Sequence, residues 1–391
     1  MKRLDIRSFG PIEEGSIEFG DLTVLVGPQA SGKSLVVQLL KAIQDAGAIR
    51  RDLRQYGFDW LHGKDPVADF LGIYFGGGMQ TLWTSATRAA ADGEAVDLSR
   101  QVVNPPGRAP ATGSVFLIPA QRVLVLQDGW PRPFMAYAVG DPYCLRSFSD
   151  ALRRLMEAGG GRGEAVFPQP RRLKAELRRL VNDGVYASGQ LRLHSEGMRK
   201  QIVLLPRGSA FPLRYTAWSA GQREFTPLLL GLYWLIPPAK STKRANVETV
   251  IVEEPEMGLH PRAIVTFCLL VLELLHRGYK VIVSSHSPVV LDIVWMVREL
   301  QAVKPATALR AMQKAFDIRR LETPIRDVLA DALAKRYRTY YFEREKETVR
   351  IRDISSLDPG AEDAAVSGWG GLSGFSGRIA DIVADATARN A

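Results

Sequence analysis

Residues 22–34 read L-T-V-L-V-G-P-Q-A-S-G-K-S. Val24, Leu25 and Val26 make a short apolar run that ends in glycine, the pattern of a buried strand. Gly27, Pro28, Gln29, Ala30, Ser31, Gly32, Lys33 and Ser34 then fit G-x-x-x-x-G-K-[ST], the phosphate-binding loop. Residues 34–46 continue with helical spacing, placing Val36, Leu39, Leu40 and Ile43 on one face. Strand, glycine loop and helix in this order are the context in which the motif carries chemistry. Glycines let the backbone curl so that its N–H groups face phosphate oxygens, and the helix N-terminus adds a positive field. Lys33 then supplies charge for the β and γ phosphates, and the Ser34 hydroxyl is placed for Mg²⁺. The expected ligands are ATP and Mg²⁺.

A loop of this kind needs a carboxylate from a second strand, and residues 250–261 supply one: V-I-V-E-E-P-E-M-G-L-H-P. Adjacent like charges at the end of a buried run are costly unless something positive compensates. With Glu253 as the metal carboxylate and Glu254 as the base for the attacking water, Mg²⁺ is that charge, with Lys33 nearby.

The chain has 391 residues, 46% of them hydrophobic, and a formal net charge of +9, which suits an anionic partner without requiring one. Cys144 and Cys268 form neither a disulfide framework nor a zinc spacing and read as buried thiols in a reducing cytoplasm. The N-terminus, M-K-R-L-D-I-R-S-F-G, has no apolar signal region. The most apolar stretches, 225–239 and 264–275, fall short of the roughly 20 residues that span a bilayer. A cytoplasmic protein without a membrane partner is expected.

Along the chain, Leu4, Ile6, Ile17 and Phe19 alternate about a Gly10-Pro11 turn, giving an antiparallel N-terminal β region. Residues 51–117, with Gly76-Gly77-Gly78 and Pro105-Pro106, read as an insertion and loops around short elements. Residues 148–183 are mainly helical, interrupted by Gly159-Gly160-Gly161 and by Pro168 and Pro170, and 190–205 alternate as a hairpin. From Thr249 the chain returns to buried strand, helix and buried strand, and 337–342 with 349–354 form a closing hairpin. The tail, 359–391, holds one short helix candidate at 379–386. The expected fold is α/β, a mixed, mainly parallel sheet flanked by helices. It divides into a nucleotide-binding lobe, 1–50 with 245–358, and a helical and hairpin lobe, 118–244. There is no internal repeat and no sustained heptad run.

Two further segments complete a pattern: W-S-A-G-Q-R-E at 218–224, and V-S-S-H-S-P at 283–288. With the phosphate loop and E-P-E-x-G-L-H-P, they resemble the ATP-binding-cassette (ABC) ATPases, above all the soluble branch with SMC-type, RecF-type and OLD-like proteins. The resemblance covers roughly 1–50 and 115–300, and I-P-A-Q-R at 118–122 is similar to that branch's glutamine loop. It implies that Gln121 contacts Mg²⁺ and senses the γ-phosphate, and that His286 contacts it and steadies the attacking water. It also implies that Ser219 and Gly221, with Gln222 beside them, cap a nucleotide held by the other subunit of a head-to-tail dimer or larger assembly. The loop from Glu256 onward would cross that interface. Glu253 departs from the family's usual aspartate, and Trp218 and Ala220 depart from its usual leucine and glycine.

The resemblance therefore implies an ATP-driven assembly switch acting on a separate effector, as in bacterial anti-phage defence modules. The alternative is a RecF- or SMC-like ATPase that binds DNA in repair or chromosome maintenance. That alternative draws on net charge and on Arg171, Arg172, Lys174, Arg178 and Arg179, beside the apolar Leu173, Leu177 and Leu180. As a solvated helix face those cations need no nucleic acid. The motor of a membrane transporter is disfavoured by the E-P-E-x-G-L-H-P form. His62, His194 and His276 lack metal-ligand spacing. Asp353, Asp358, Glu362 and Asp363 lack the D-x-D spacing of a TOPRIM nuclease, and the chain ends too soon for such a domain, so nuclease activity is not expected.

Overall fold

The computed structural model describes residues 1–103, 112–159, 165–169, 172–197, 199–237 and 243–372, together with 379 and 382. The hairpin β1 (Arg3–Phe9) and β2 (Ile12–Glu18) leads into β3 (Leu22–Val26) and helix α1 (Lys33–Gln55). Next come α2 (Pro66–Tyr74), β4 (Arg88–Ala91), β5 (Glu94–Ala95), α3 (Leu98–Val102) and β6 (Val115–Ile118). A small hairpin, β7 (Leu126–Gln127) and β8 (Trp130–Pro131), precedes α4 (Tyr143–Gly159), β9 (Ala165–Phe167) and α5 (Ala175–Val185). The hairpin β10 (Gln190–Glu196) and β11 (Arg199–Leu205) leads to α6 (Ala220–Leu235). Then follow β12 (Thr249–Glu253), α7 (Pro261–His276), β13 (Lys280–Ser285), α8 (Pro288–Leu300), α9 (Pro305–Ala315) and α10 (Thr323–Ala332). The hairpin β14 (Tyr337–Glu345) and β15 (Thr348–Asp353) and a short α11 (Ala364–Ser367) close the described chain.

Ten strands form one sheet in the order β5-β4-β1-β2-β15-β14-β3-β13-β12-β6. From β6 to β14 every pairing is parallel. The other half is antiparallel apart from the β15–β2 pair. Side chains alternate between two cores, as a pleated strand buried on both faces requires. Val24, Val250, Val252, Val281 and Val283 face the layer of α4 to α8 and α10, while Leu25, Ile251 and Ile282 face α1 and α2.

One sequence expectation is corrected. Helix α1 runs on past residue 46 to Gln55, with a kink at Asp45 (φ −111°, ψ 15°). The buried Asp45 carboxylate accepts from Ser114 N (2.6 Å), Ser114 Oγ (3.0 Å) and Val115 N (3.0 Å), and pairs with Lys41 (3.0 Å). Lys41 Nζ donates in turn to Val115 O (2.6 Å). One ion pair thus satisfies both outward-facing backbone groups of Val115 on the free edge of the sheet. Within 51–117, the short elements among the loops are the end of α1, two further helices and three strands. Helix α2 starts with Asp65 as N-cap, accepting from Val67 N and Ala68 N, and proline at its first position. Strand β9 lies within the expected interruption of the helical run and pairs with β10. The helix candidate at 379–386 lies outside the described residues.

Candidate functional site

The phosphate loop leaves β3 at Val26 and turns into α1 through three residues of positive φ: Gly27 (147°), Ala30 (56°) and Gly32 (87°). A Cβ on Gly27 would meet Phe342 O at 2.8 Å, and one on Gly32 would meet Pro11 Cγ at 3.1 Å. Both sites are therefore closed to larger residues on grounds of space and backbone. Ser31 Oγ donates to Pro28 O (2.8 Å). Buried Lys33 folds back on the loop, its Nζ donating to Gly27 O (2.9 Å), Pro28 O (2.8 Å) and Ser31 Oγ (3.3 Å). Burial pulls its ammonium down to about 8, against the pull of Glu254 and Glu256. Arg344 of β14 donates to Gln29 O (3.3 Å) and Ala30 O (2.8 Å), holding the loop from outside.

Beside this loop ends β12. Glu253 is 1% exposed, and burial pushes its carboxyl up to about 7, tempered by the nearby polar side chains of Ser34 and Gln38 and by Ala120 N. Oε2 accepts from Ala120 N (3.4 Å), and Oε1 has no partner among the described residues. A buried carboxylate oxygen without a donor, facing a helix-N-terminal serine, fits a divalent cation. Gln38, one helical turn beyond Ser34, belongs to this group and was not anticipated; its signal was a polar stripe of Ser34, Gln38, Lys41 and Asp45 along one side of α1. Gln121 adjoins Ala120 but is exposed at the rim.

Glu254 sits at φ +42°, a left-handed conformation costly for a side chain of its size and concentrated at functional sites. Its N–H donates to Ser284 O (2.9 Å), and its carboxylate lies 3.5 Å from His286 Nε2. The hydrogen bond to His286 holds that carboxyl below the ordinary range, with Lys33 and Arg122 contributing. Glu256 turns inward: its Oε1 accepts from Ser285 Oγ (3.0 Å) and His286 N, and caps the S-S-H turn within the same chain. The structure therefore brings Lys33, Ser34, Glu253, Glu254 and His286 to one place.

Three carboxylates converge here, and the cation that the sequence reading passed over is Arg122. Its guanidinium is fully buried and bonds to the carbonyls of Glu224 (3.2 Å), Glu253 (2.9 Å), Glu254 (3.0 Å) and Pro255 (3.5 Å). It also lies 3.5 Å from the Glu224 carboxylate.

Ser219, Gly221 and Gln222 open α6 elsewhere. Ser219 is its N-cap: its side chain accepts from Gln222 N (3.3 Å), while Gln222 Oε1 accepts from Ser219 N (3.1 Å). Gln222 Nε2 donates to Val185 O (3.3 Å), so its amide serves the fold. Gly221 packs on the loop after Glu254, where a Cβ would meet Gly258 O at 2.8 Å. Trp218 is buried, its indole N–H donating to Leu213 O (3.1 Å) beside the Tyr215 ring. Exposed Ser219 thus faces outward at a helix N-terminus, an anion-attracting position.

The arginine-rich segment is used internally. Arg172 donates to Tyr233 O (3.0 Å), Lys174 pairs with buried Glu273, and Arg179 pairs with Glu176 (2.7 Å). Arg178 donates to Leu173 O, and Arg171 lies outside the described residues. His276 pairs with Asp331 (3.0 Å) and His62 with Asp59 (2.5 Å). Asp353, Asp358 and Asp363 each cap a separate local turn.

Residues 141–292 match the protein family described as "AAA domain, putative AbiEii toxin, Type IV TA system". That span takes in α6, β12 and β13 but not the phosphate loop. No curated protein matches the chain. Among solved structures, the chain is similar to an SMC head domain from Thermotoga maritima, with 14% identity over 90% of this chain and 98% of that one and a TM-score of 0.36. It is also similar to an Smc head bound to the C-winged helix domain of ScpA, with 12% identity, 90% and 96% coverage and a TM-score of 0.42. A third is a dimeric bacterial ABC transporter cassette, with 10% identity, 73% and 89% coverage and a TM-score of 0.32. Among the described residues no helix is long and apolar enough to cross a membrane.

Proposed function

We propose that this chain is a P-loop ATPase of the ABC/SMC-like kind that hydrolyses ATP slowly and uses the cycle as an assembly switch controlling a separate effector. The observation that carries the reading is the pairing of Glu254 with His286 at 3.5 Å, beside Lys33 and the unpartnered Glu253 oxygen. Ser34 and Glu253, with Gln121 at the rim, would hold Mg²⁺, which when bound would neutralise charge on the transferred phosphoryl group. Lys33 leaves the loop carbonyls to meet the β and γ phosphates, while the backbone N–H groups of 27–34 wrap them. Glu254 takes a proton from the attacking water, and His286, fixed by Glu256, orients that water.

In this reading the γ-phosphate is capped by Ser219 and Gly221 of a second copy packed head to tail, so ATP joins two subunits and hydrolysis releases them. A role in anti-phage defence is in keeping with the toxin–antitoxin wording of the matched family. The DNA-binding alternative has less support, because the described cations of the arginine-rich segment are engaged inside the fold.

The test pairs two variants. Lys33→Ala should abolish ATP binding. Glu254→Gln should bind ATP with turnover down by about 10²–10⁴, and should sediment as a dimer with ATP. A monomer under those conditions rejects the switch, and hydrolysis at the parent rate rejects Glu254 as base.

A further inference from the structure

Arg122 touches neither the phosphate loop nor the solvent. Its fork spans three successive carbonyls, of Glu253, Glu254 and Pro255, at the turn where Glu254 adopts positive φ. Its Nε donates to the Glu224 carbonyl and its Nη2 lies 3.5 Å from the Glu224 carboxylate, five residues into α6 from the Ser219 cap. It also directly follows Gln121 in sequence. One rigid, planar group therefore ties the rim loop, the Glu254 turn and α6 together, and a lysine could reach only part of this set.

We infer that Arg122 is a positioning residue: it fixes the direction of the Glu254 carboxylate and couples it to α6, the helix that presents Ser219. The inference rests on the ATPase reading above. Nucleotide binding belongs to the phosphate loop and is left to it. Misplacing a base by an ångström slows chemistry far more than binding.

The test compares the parent with Arg122→Lys. Turnover should fall about 10- to 100-fold, with the Kd for a fluorescent ATP analogue within about threefold. Amide hydrogen exchange should rise together in peptides covering 253–257 and 219–225, with the rest of the sheet unchanged. Glu224→Gln keeps the carbonyl bonds and should raise exchange only in 219–225. Turnover at the parent rate overturns the proposal. So does a uniform rise in exchange with parallel loss of ATP binding, the mark of a merely structural residue. If the parent itself does not turn over ATP, the hydrolysis reading fails, and paired or unpaired exchange of the two peptides still decides whether Arg122 links them.

Discussion

Asp45→Asn tests the free edge of the sheet. The native carboxylate takes three hydrogen bonds from Ser114 and Val115 and pairs with Lys41, the two side chains being 2% and 8% exposed. Asparagine keeps one oxygen for Ser114 but presents an NH₂ where Val115 N–H and the Lys41 ammonium need an acceptor. At this burial solvent screening offers little relief, and breaking a buried pair from one side costs about 3–5 kcal/mol. At ~2 °C per kcal/mol, as for larger domains, the midpoint of thermal unfolding should fall by about 6–10 °C. Intrinsic tryptophan fluorescence or calorimetry measures it. Adding Lys41→Met removes the stranded charge and should restore part of the loss, a non-additivity expected of contacting residues. A midpoint shift under about 2 °C, or a double variant less stable than Asp45→Asn, would refute the edge-clamp argument.

Three more outcomes are expected. Arg344→Ala removes two hydrogen bonds to the loop carbonyls of Gln29 and Ala30 at an exposed position, so ATP affinity should weaken about 3- to 10-fold in a fluorescence titration. Gly221→Ala drives a methyl into Gly258 O, a backbone atom 2.8 Å away, and should cost about 1–3 kcal/mol in denaturant unfolding. Burial pushes the thiols of Cys144 and Cys268 up to about 12, so the folded protein should carry little thiolate at pH 8 and resist alkylation; both should react on unfolding, as counted by mass.

The phosphate loop and the Glu253–Glu254 strand end could be read from the sequence because their signals are local. Apolar runs stop at residues whose chemistry has no place in a core. The closing hairpin and the 190–205 hairpin showed for the same reason. What escaped depends on partners distant in the chain. The three alanines of β4 carry no alternation and form a strand by pairing with β1. Strand β9 spans three residues and exists through β10. Helix α1 continues past Asp45 because that carboxylate is satisfied by Ser114 and Val115, which lie beyond the next two helices. Arg122 was read only for the glutamine beside it, since nothing in I-P-A-Q-R says that the cation turns inward. The start of α2 was an oversight, for Asp65-Pro66 is an N-cap followed by a first-turn proline.

Arg344 reaches Ala30 across a sequence separation of 314 residues, and β3 lies between β13 and β14. The phosphate loop thus waits for a strand made 314 residues later before its outer contacts are complete. At ~5–20 residues per second on the ribosome, that interval lasts about 15–60 s. Until the hairpin of β14 and β15 emerges, β3 has one bare edge and the loop carbonyls lack their outer donor. The loop therefore takes its final bracing only when that hairpin pairs with β3. Arg344 thus makes the shape of this loop a reporter of whether the β14–β15 hairpin has docked.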